Sequence, residues 1–177
     1  ERMRSRPRFV HDSGSRPRPA PAMKLRVVAF GQRMPAWVDA GWDDYARRMP
    51  REFALELVLL KPEPRARGKS VAQLLAAEAL RLAAACKDTR IVALDERGEP
   101  WTTRLLAANL VRWRDEARDV AFVIGSADGL ADSVKRAASA IVALSALTLP
   151  HGLVRVVVAE QLYRAVSLLA HHPYHRD

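Results

Sequence analysis

The chain has 177 residues and a formal charge of +9, from 29 Lys and Arg against 20 Asp and Glu. Its single cysteine, Cys86, excludes an internal disulfide, argues against a structural zinc site and fits a reducing, cytoplasmic setting. No apolar run reaches the roughly 18 residues of a membrane span, and the length predicts one domain, or one domain plus a tail.

The charge is uneven. Residues 1–22, `ERMRSRPRFVHDSGSRPRPAPA`, hold six Arg against Glu1 and Asp12. Pro-Arg repeats and few apolar residues predict a disordered extension, with the folded domain starting at Met23. A nonspecific RNA-binding arm is the functional alternative. The segment lacks the apolar core of a signal peptide, and its prolines oppose the amphipathic helix of a transit peptide. The remaining residues carry 23 basic and 18 acidic groups. That moderate surplus fits an anionic partner such as RNA, or an Arg-rich composition with no such role.

From Met23 onward, strand and helix patterns alternate. `KLRVVAF` (24–30) predicts a buried strand and `PAWVDAGWDDYARRM` (35–49) a helix opened by Pro35. `FALELVLL` (53–60) is the next strand, followed by the basic loop `KPEPRARGK` (61–69). `SVAQLLAAEALRLAAA` (70–85) is a helix with Ser70 as N-cap; Cys86 ends it as a small buried apolar residue. `RIVALD` (90–95) is a short strand, with a turn at `ERGEP`. Then come a helix over 102–117, a strand over 119–125, a short helix in `DSVKRAASA`, a strand over 141–146 and a last helix over 153–170. Alternation with continuous apolar strands predicts an α/β fold, a mainly parallel sheet with helices on both faces.

The last helix is apolar around most of its circumference. At about 100° per residue, Glu160, Arg164, Ser167 and His171 fall within one stripe, and Arg155 stands on the opposite side. A helix this apolar is covered on more than one side, either as a central helix of one monomer or by a second subunit. Glu160 and Arg164 are spaced to pair at i, i+4.

Several chemistries are missing. No G-x-G-x-x-G, Walker-type or G-x-S-x-G motif is present. His171, His172 and His175 cluster near the C terminus without a carboxylate at a matching offset, so no metal site is expected. Three strand ends remain: `LD` (94–95), `IGSADGL` (124–130) and `SALTLPHG` (145–152). Ligands of open parallel sheets bind outside the carboxyl ends of strands, so these loops are predicted to converge on one pocket. Walls of Gly, Ala, Leu and Thr suit a ligand with an adenine face and few charges.

The stretch `SALTLPHGLVRVVVAEQLYRA`, with the terminal `HPYHRD`, the opening `MKLRVVAFGQRMPAWVDAGWDDYARRMP` and the central `RIVALDERGEPW`, resembles the large-subunit ribosomal RNA pseudouridine N3-methyltransferases. These are S-adenosylmethionine-dependent enzymes of the trefoil-knotted SPOUT class. The resemblance runs from Met23 to Asp177. It implies a homodimer with a C-terminal knot, acting on ribosomal RNA in the assembled ribosome, without metal or membrane. It places the methyl donor at Leu94, at the Gly125–Ser126 turn, and along Ser145, Ala146, Leu147, Thr148, Leu149 and Pro150. The family usually has Gly-Gly where this chain has Gly125-Ser126. Ser126 would strain the turn or crowd the donor, unless only its backbone amide is used.

The acceptor imide nitrogen must lose its proton before or during attack, which calls for a general base or a cation facing the developing anion. The candidates are Arg155, Arg164, Tyr174 and His175. The resemblance brings the C-terminal `HPYHR` close to the donor; of the candidates, Arg164 and His175 are expected around the ring, with Tyr174 positioning it. Arg155 is either part of this group or an anchor of the knot, and His151 ends the loop. Arg155 and Arg164 point to opposite helix faces, so residues from two subunits are expected to share one site. The basic `RARGK` (65–69) is either a phosphate-binding loop or a solvated surface.

Overall fold

The structure, a computed structural model, describes residues 22–31, 34–65 and 68–174. The expected tail, apart from Ala22, and the candidate His175 lie outside the described residues. Five strands form one sheet in the order β2-β1-β4-β3-β5: β1 Leu25–Phe30, β2 Leu55–Leu60, β3 Arg90–Pro100, β4 Val120–Ile124 and β5 Ala140–Ala143. Every pairing is parallel. Val27 of β1 lies between Leu57 and Phe122, and Phe122 of β4 in turn lies beside Val92 of β3. The inner strands β1 and β4 are the most buried, and every residue of the central β4 is buried.

Successive residues of a strand point to opposite faces, and the core divides accordingly. Val27, Ala29, Val92, Phe122 and Ile124 face one cluster, which includes Trp42, Trp113, Val158 and Leu162. Val28, Phe30, Ala93, Ala121 and Val123 face the other, with Leu82, Cys86 and Val134. Helices α1 (Ala36–Arg48), α3 (Thr103–Asp115) and α5 (His151–Leu169) cover the first face; α2 (Val71–Ala85) and α4 (Asp132–Ala137) cover the second. The expected helix-covered parallel sheet is therefore present. Ser70 caps α2 in a full capping box with Gln73, and the Thr102 hydroxyl accepts from Leu105 N at 3.1 Å at the head of α3.

Two elements differ from expectation. The turn expected at `ERGEP` is part of β3, which continues to Pro100 through a register shift: Leu94 and Glu99 both pair with Val142 of β5. The intervening residues bulge, with Arg97 N donating to Asp95 Oδ1 at 2.9 Å. A β-carbon on Gly98 would stand 2.6 Å from the Val142 backbone, so only glycine lets the strand close there. Second, the expected break at Pro150-His151-Gly152 is the first turn of α5, with Pro150 at its N-cap. Gly152 serves contact instead: a β-carbon there would meet Val38 Cγ2 at 3.0 Å. One turn on, a β-carbon on Gly41 would meet Val156 Cγ1 at 3.1 Å, so α1 and α5 cross closely at two glycines.

The polar stripe expected on α5 is also incomplete. Glu160 and Arg164 are half-buried, but Ser167 is fully buried. Its carbonyl accepts from His172 N at 2.9 Å, while His171 N donates to Leu168 O at 3.2 Å. That pair of bonds is the Schellman ending of a helix, and His171 adopts the left-handed φ of 52° in the position usually held by glycine.

Candidate active site

The carboxyl ends of β3, β4 and β5 meet at a cavity of about 430 Å³, within the usual range for small-molecule sites. Leu94, Gly125, Ser126, Ser145, Leu147, Thr148 and Leu149 line it, as the strand-end argument expects. Ala146 and Pro150 belong to the same loop but do not line the wall; both are exposed. The floor is apolar, from Ile124, Leu130, Val142 and Val154. A smaller cavity of about 70 Å³ adjoins it through the shared Leu94, Val142 and Leu144.

Local backbone shape explains the loop after β4. Gly125 is buried, and a β-carbon on it would overlap the Gly129 carbonyl. Ser126 and Gly129 bridge each other, with Gly129 N donating to Ser126 O at 2.9 Å. The left-handed φ of this loop, 86°, falls at Gly129, and Ser126 is not among the positive-φ residues. The strain expected at Ser126 is therefore absent, because the conformation that requires glycine is three residues later.

The cavity wall carries charges that the strand-end argument did not single out. Asp95 accepts from Lys135 at 2.5 Å, and Asp128 accepts from Arg65 at 2.6 Å. Burial opposes ionisation of Asp95, but Lys135 and the Arg97 amide hold its carboxyl below the ordinary range. Arg65 thereby ties the basic 61–69 loop to the cavity rim, and Lys69 pairs with Glu63 at 2.5 Å. Glu96 accepts only a long 3.4 Å bond from Thr148 Oγ1 among the described residues. His151 also lines the wall, and burial, then the charge of Arg155, pushes its pKa down. A neutral imidazole and the Glu96 carboxylate on the lining of one cavity give a wall able to receive a ligand that is apolar on one side and positively charged on the other. These residues suit S-adenosylmethionine, which combines an adenine face with a sulfonium cation.

Arg155 is 1 % exposed. Its Nη2 donates to Phe30 O at 3.3 Å, and its Nε and Nη1 have no hydrogen-bond partner among the described residues. Burial lowers its pKa, countered in part by Asp39. A β-carbon on Gly31 would stand 2.8 Å from this guanidinium, so the end of β1 is shaped around it. Arg155 thus does not line the cavity and is packed against the end of β1.

Arg164 and Tyr174 form a separate group at the far end of α5. Arg164 donates to Glu160 Oε1 through Nε at 2.8 Å and pairs with it through Nη2 at 2.7 Å, as the spacing predicts. That bond raises the Arg164 pKa and keeps its charge. The Tyr174 hydroxyl lies 3.2 Å from Glu160 Oε1 and 3.5 Å from the Tyr45 hydroxyl, and the Arg164 guanidinium sits 5.0 Å from the Tyr174 ring centre. Burial first, then the Tyr45 hydrogen bond and the Glu160 charge, push the Tyr174 pKa well above the usual phenol value. Tyr174 is therefore a hydrogen-bond donor near neutrality. The structure brings Arg164 and Tyr174 together and keeps them apart from Arg155: nine residues of helix at 1.5 Å each separate Arg155 from Arg164 by about 14 Å. Tyr45, from α1, was not a sequence candidate; only the folded α1–α5 contact reveals it.

No group of three or more His, Cys, Asp or Glu among the described residues could hold a metal ion, and no helix among them is long and apolar enough to cross a membrane.

Residues 23–175 match the family model "Predicted SPOUT methyltransferase". Over 155 residues, 87% of this chain, the sequence is 56% identical to a ribosomal RNA large subunit methyltransferase H from Bordetella petrii, of which 99% is covered. The same stretch is 54% identical to the methyltransferase H of Burkholderia mallei strain SAVP1, with 87% of this chain and 99% of that one covered. Among solved structures, a probable methyltransferase from Bordetella pertussis Tohama I shares the fold with a TM-score of 0.55 at 22% identity, covering 81% of this chain and 95% of that one. A probable methylase family protein from Haemophilus influenzae Rd KW20 shares it with a TM-score of 0.53 at 12% identity, covering 89% of this chain and 72% of that one. With the strand-end cavity, the glycine-built loop and a family match running from Met23 to beyond Tyr174, the chain belongs to the SPOUT methyltransferase family.

Proposed function

We propose that this protein methylates the N3 nitrogen of a pseudouridine in large-subunit ribosomal RNA, acting on the assembled ribosome in the cytoplasm. The observation that carries the reading is the convergence of three strand-end loops on one cavity, in a chain more than half identical to proteins named ribosomal RNA large subunit methyltransferase H. S-adenosylmethionine, bound there, supplies an electrophilic methyl carbon on a sulfonium. Leu94, Gly125, Ser126 and the 145–150 loop hold it, and neutral His151 adds no opposing charge at the wall.

The protein's remaining task is to align the acceptor nitrogen within about 3–3.5 Å of that methyl and to stabilise the charge left as its proton departs. Arg164 faces the ring anion as a permanent cation, and Tyr174, whose hydroxyl is engaged by Glu160 and Tyr45, positions the ring through its aromatic face. His175, outside the described residues, shares this task by the resemblance to the family. Arg155, buried and unable to reach an RNA base without unpacking, anchors the end of β1 and the head of α5.

In one chain the donor cavity adjoins the head of α5, whereas Arg164 lies 13 residues beyond His151, roughly 20 Å along the helix. A homodimer resolves this distance, with one protomer's Arg164 and Tyr174 serving its partner's donor. Large apolar side chains support a second subunit: Trp37 on α1, Leu105 on α3 and the 77 % exposed Leu147 in the donor loop.

Mass spectrometry of ribosomal RNA from cells with and without the gene tests the assignment. A single methylated pseudouridine should disappear from the large-subunit RNA and return on complementation. An unchanged large-subunit RNA would sink it.

A further inference from the structure

The residues after α5 are exposed at His171, His172 and Pro173, yet Tyr174 is half-buried. Its ring meets Tyr163 edge-on, with centroids 4.7 Å apart. Besides Glu160 and Arg164 of α5, its neighbours come from α1, about 130 residues earlier in the chain. The Arg48 guanidinium lies 4.8 Å from the Tyr45 ring centre, 4.7 Å from that of Tyr163 and 5.7 Å from that of Tyr174. It touches all three tyrosines. Its own direction is fixed by Asp44 one turn back, which receives Nη2 at its carboxylate at 2.5 Å and Nε at its carbonyl at 3.0 Å. Tyr45 adds the hydroxyl 3.5 Å from that of Tyr174. A planar guanidinium held at two points and stacked among rings is a rigid device that a lysine cannot reproduce.

The geometry points to Arg48 and Tyr45 as positioning residues that clasp the C-terminal segment, through the Tyr174 ring and hydroxyl, in its working place for methyl transfer. This rests on the reading that Tyr174 serves the acceptor base. Neither residue need touch the RNA. The Schellman turn at His171 sets where the segment leaves α5; the clasp sets where Tyr174 lies. Misplacement of a reacting group by about 1 Å costs on the order of a hundredfold in rate, so loosening the clasp acts on turnover and spares the donor cavity at the other end of the helix.

The test compares Arg48→Ala, Arg48→Lys, Tyr45→Phe and Tyr174→Ala in the full chain, with ribosomes as substrate. Methylation kinetics, S-adenosylmethionine binding by calorimetry and thermal midpoints are measured for each. Arg48→Ala should lower kcat about ten- to a hundredfold, leave the ribosome KM and donor Kd within about twofold, and be only partly rescued by Arg48→Lys. Tyr45→Phe, which keeps the ring and loses the hydroxyl, should show a smaller fall in kcat with an unchanged midpoint; it keeps the test decisive if Arg48→Ala does not fold. If Arg48→Ala instead raises KM with kcat intact and Arg48→Lys restores it, Arg48 is a phosphate contact and the clasp is wrong. Normal kcat in Arg48→Ala and Tyr45→Phe beside an inactive Tyr174→Ala would discard the clasp and leave the acceptor role of Tyr174 standing. Full activity in Tyr174→Ala would remove both.

Discussion

Gly125 and Gly129 face each other across the loop after β4 so closely that the first has no room for a β-carbon. The contact is backbone against backbone, so no side-chain rotation relieves it. Gly125→Ala must therefore displace the loop that walls the donor cavity, while the buried strand beneath it keeps its register. The expected result is a folded protein whose S-adenosylmethionine affinity falls tenfold or more, a loss of at least ~1.4 kcal/mol. Calorimetric titration checks it, with circular dichroism as the control for folding.

Ser126 stands next to Gly125 but is under no such constraint, since the positive φ of the loop belongs to Gly129. Ser126→Gly should leave donor affinity within about twofold and lower stability by roughly 0.5 kcal/mol through added freedom of the unfolded chain. A large gain in affinity would mean that the serine side chain crowds the donor.

These two neighbours show what a sequence can disclose. The strands β1 and β4, the helix cap at Ser70 and the convergence of three strand ends are local patterns of apolar runs, caps and turns, and were legible as such. The extension of β3 was not, because its pairing with β5 depends on a register shift and on Gly98 fitting against a backbone some 44 residues away in sequence. Pro150-His151-Gly152 read as a break for the same reason: only the crossing of α1 explains a glycine in the first turn of a helix. The pairs Arg65 with Asp128 and Tyr45 with Tyr174 join residues 63 and 129 positions apart. No periodicity encodes such contacts, so the electrostatics of the cavity rim and the setting of Tyr174 came from the fold alone.

His171 ends α5 in a left-handed conformation that costs a non-glycine residue about 1 kcal/mol. His171→Gly should relieve most of that cost, offset in part by the greater freedom of glycine in the unfolded chain. A net gain of ~0.5 kcal/mol, a rise of roughly 1–2 °C in the thermal midpoint, is expected from differential scanning calorimetry. A lower midpoint would show that the histidine side chain holds the turn.

Cys86 is buried at the end of α2, and its thiol pKa is pushed up to about 11 by burial. Near neutrality almost no thiolate forms, and thiolate is the reactive species. The native protein should resist a maleimide reagent at pH 7 and react promptly in denaturant, with mass spectrometry reading the adduct. Rapid labelling of the native chain would place Cys86 in contact with solvent.

His151 lies on the donor cavity wall with its pKa lowered, by burial first and then by the Arg155 charge. The folded state therefore favours the neutral ring more than the unfolded chain does. The resulting stability is fully present above the unfolded value of about 6.5 and is lost as pH falls through the lower folded value. Binding a sulfonium should follow the same course, because a protonated imidazole at the wall repels a cation. Donor affinity should hold between pH 8 and 6.5 and weaken below, and His151→Gln should remove most of that decline. Calorimetric titrations of both proteins across pH 5–8 decide the matter: parallel pH profiles would remove His151 from the effect.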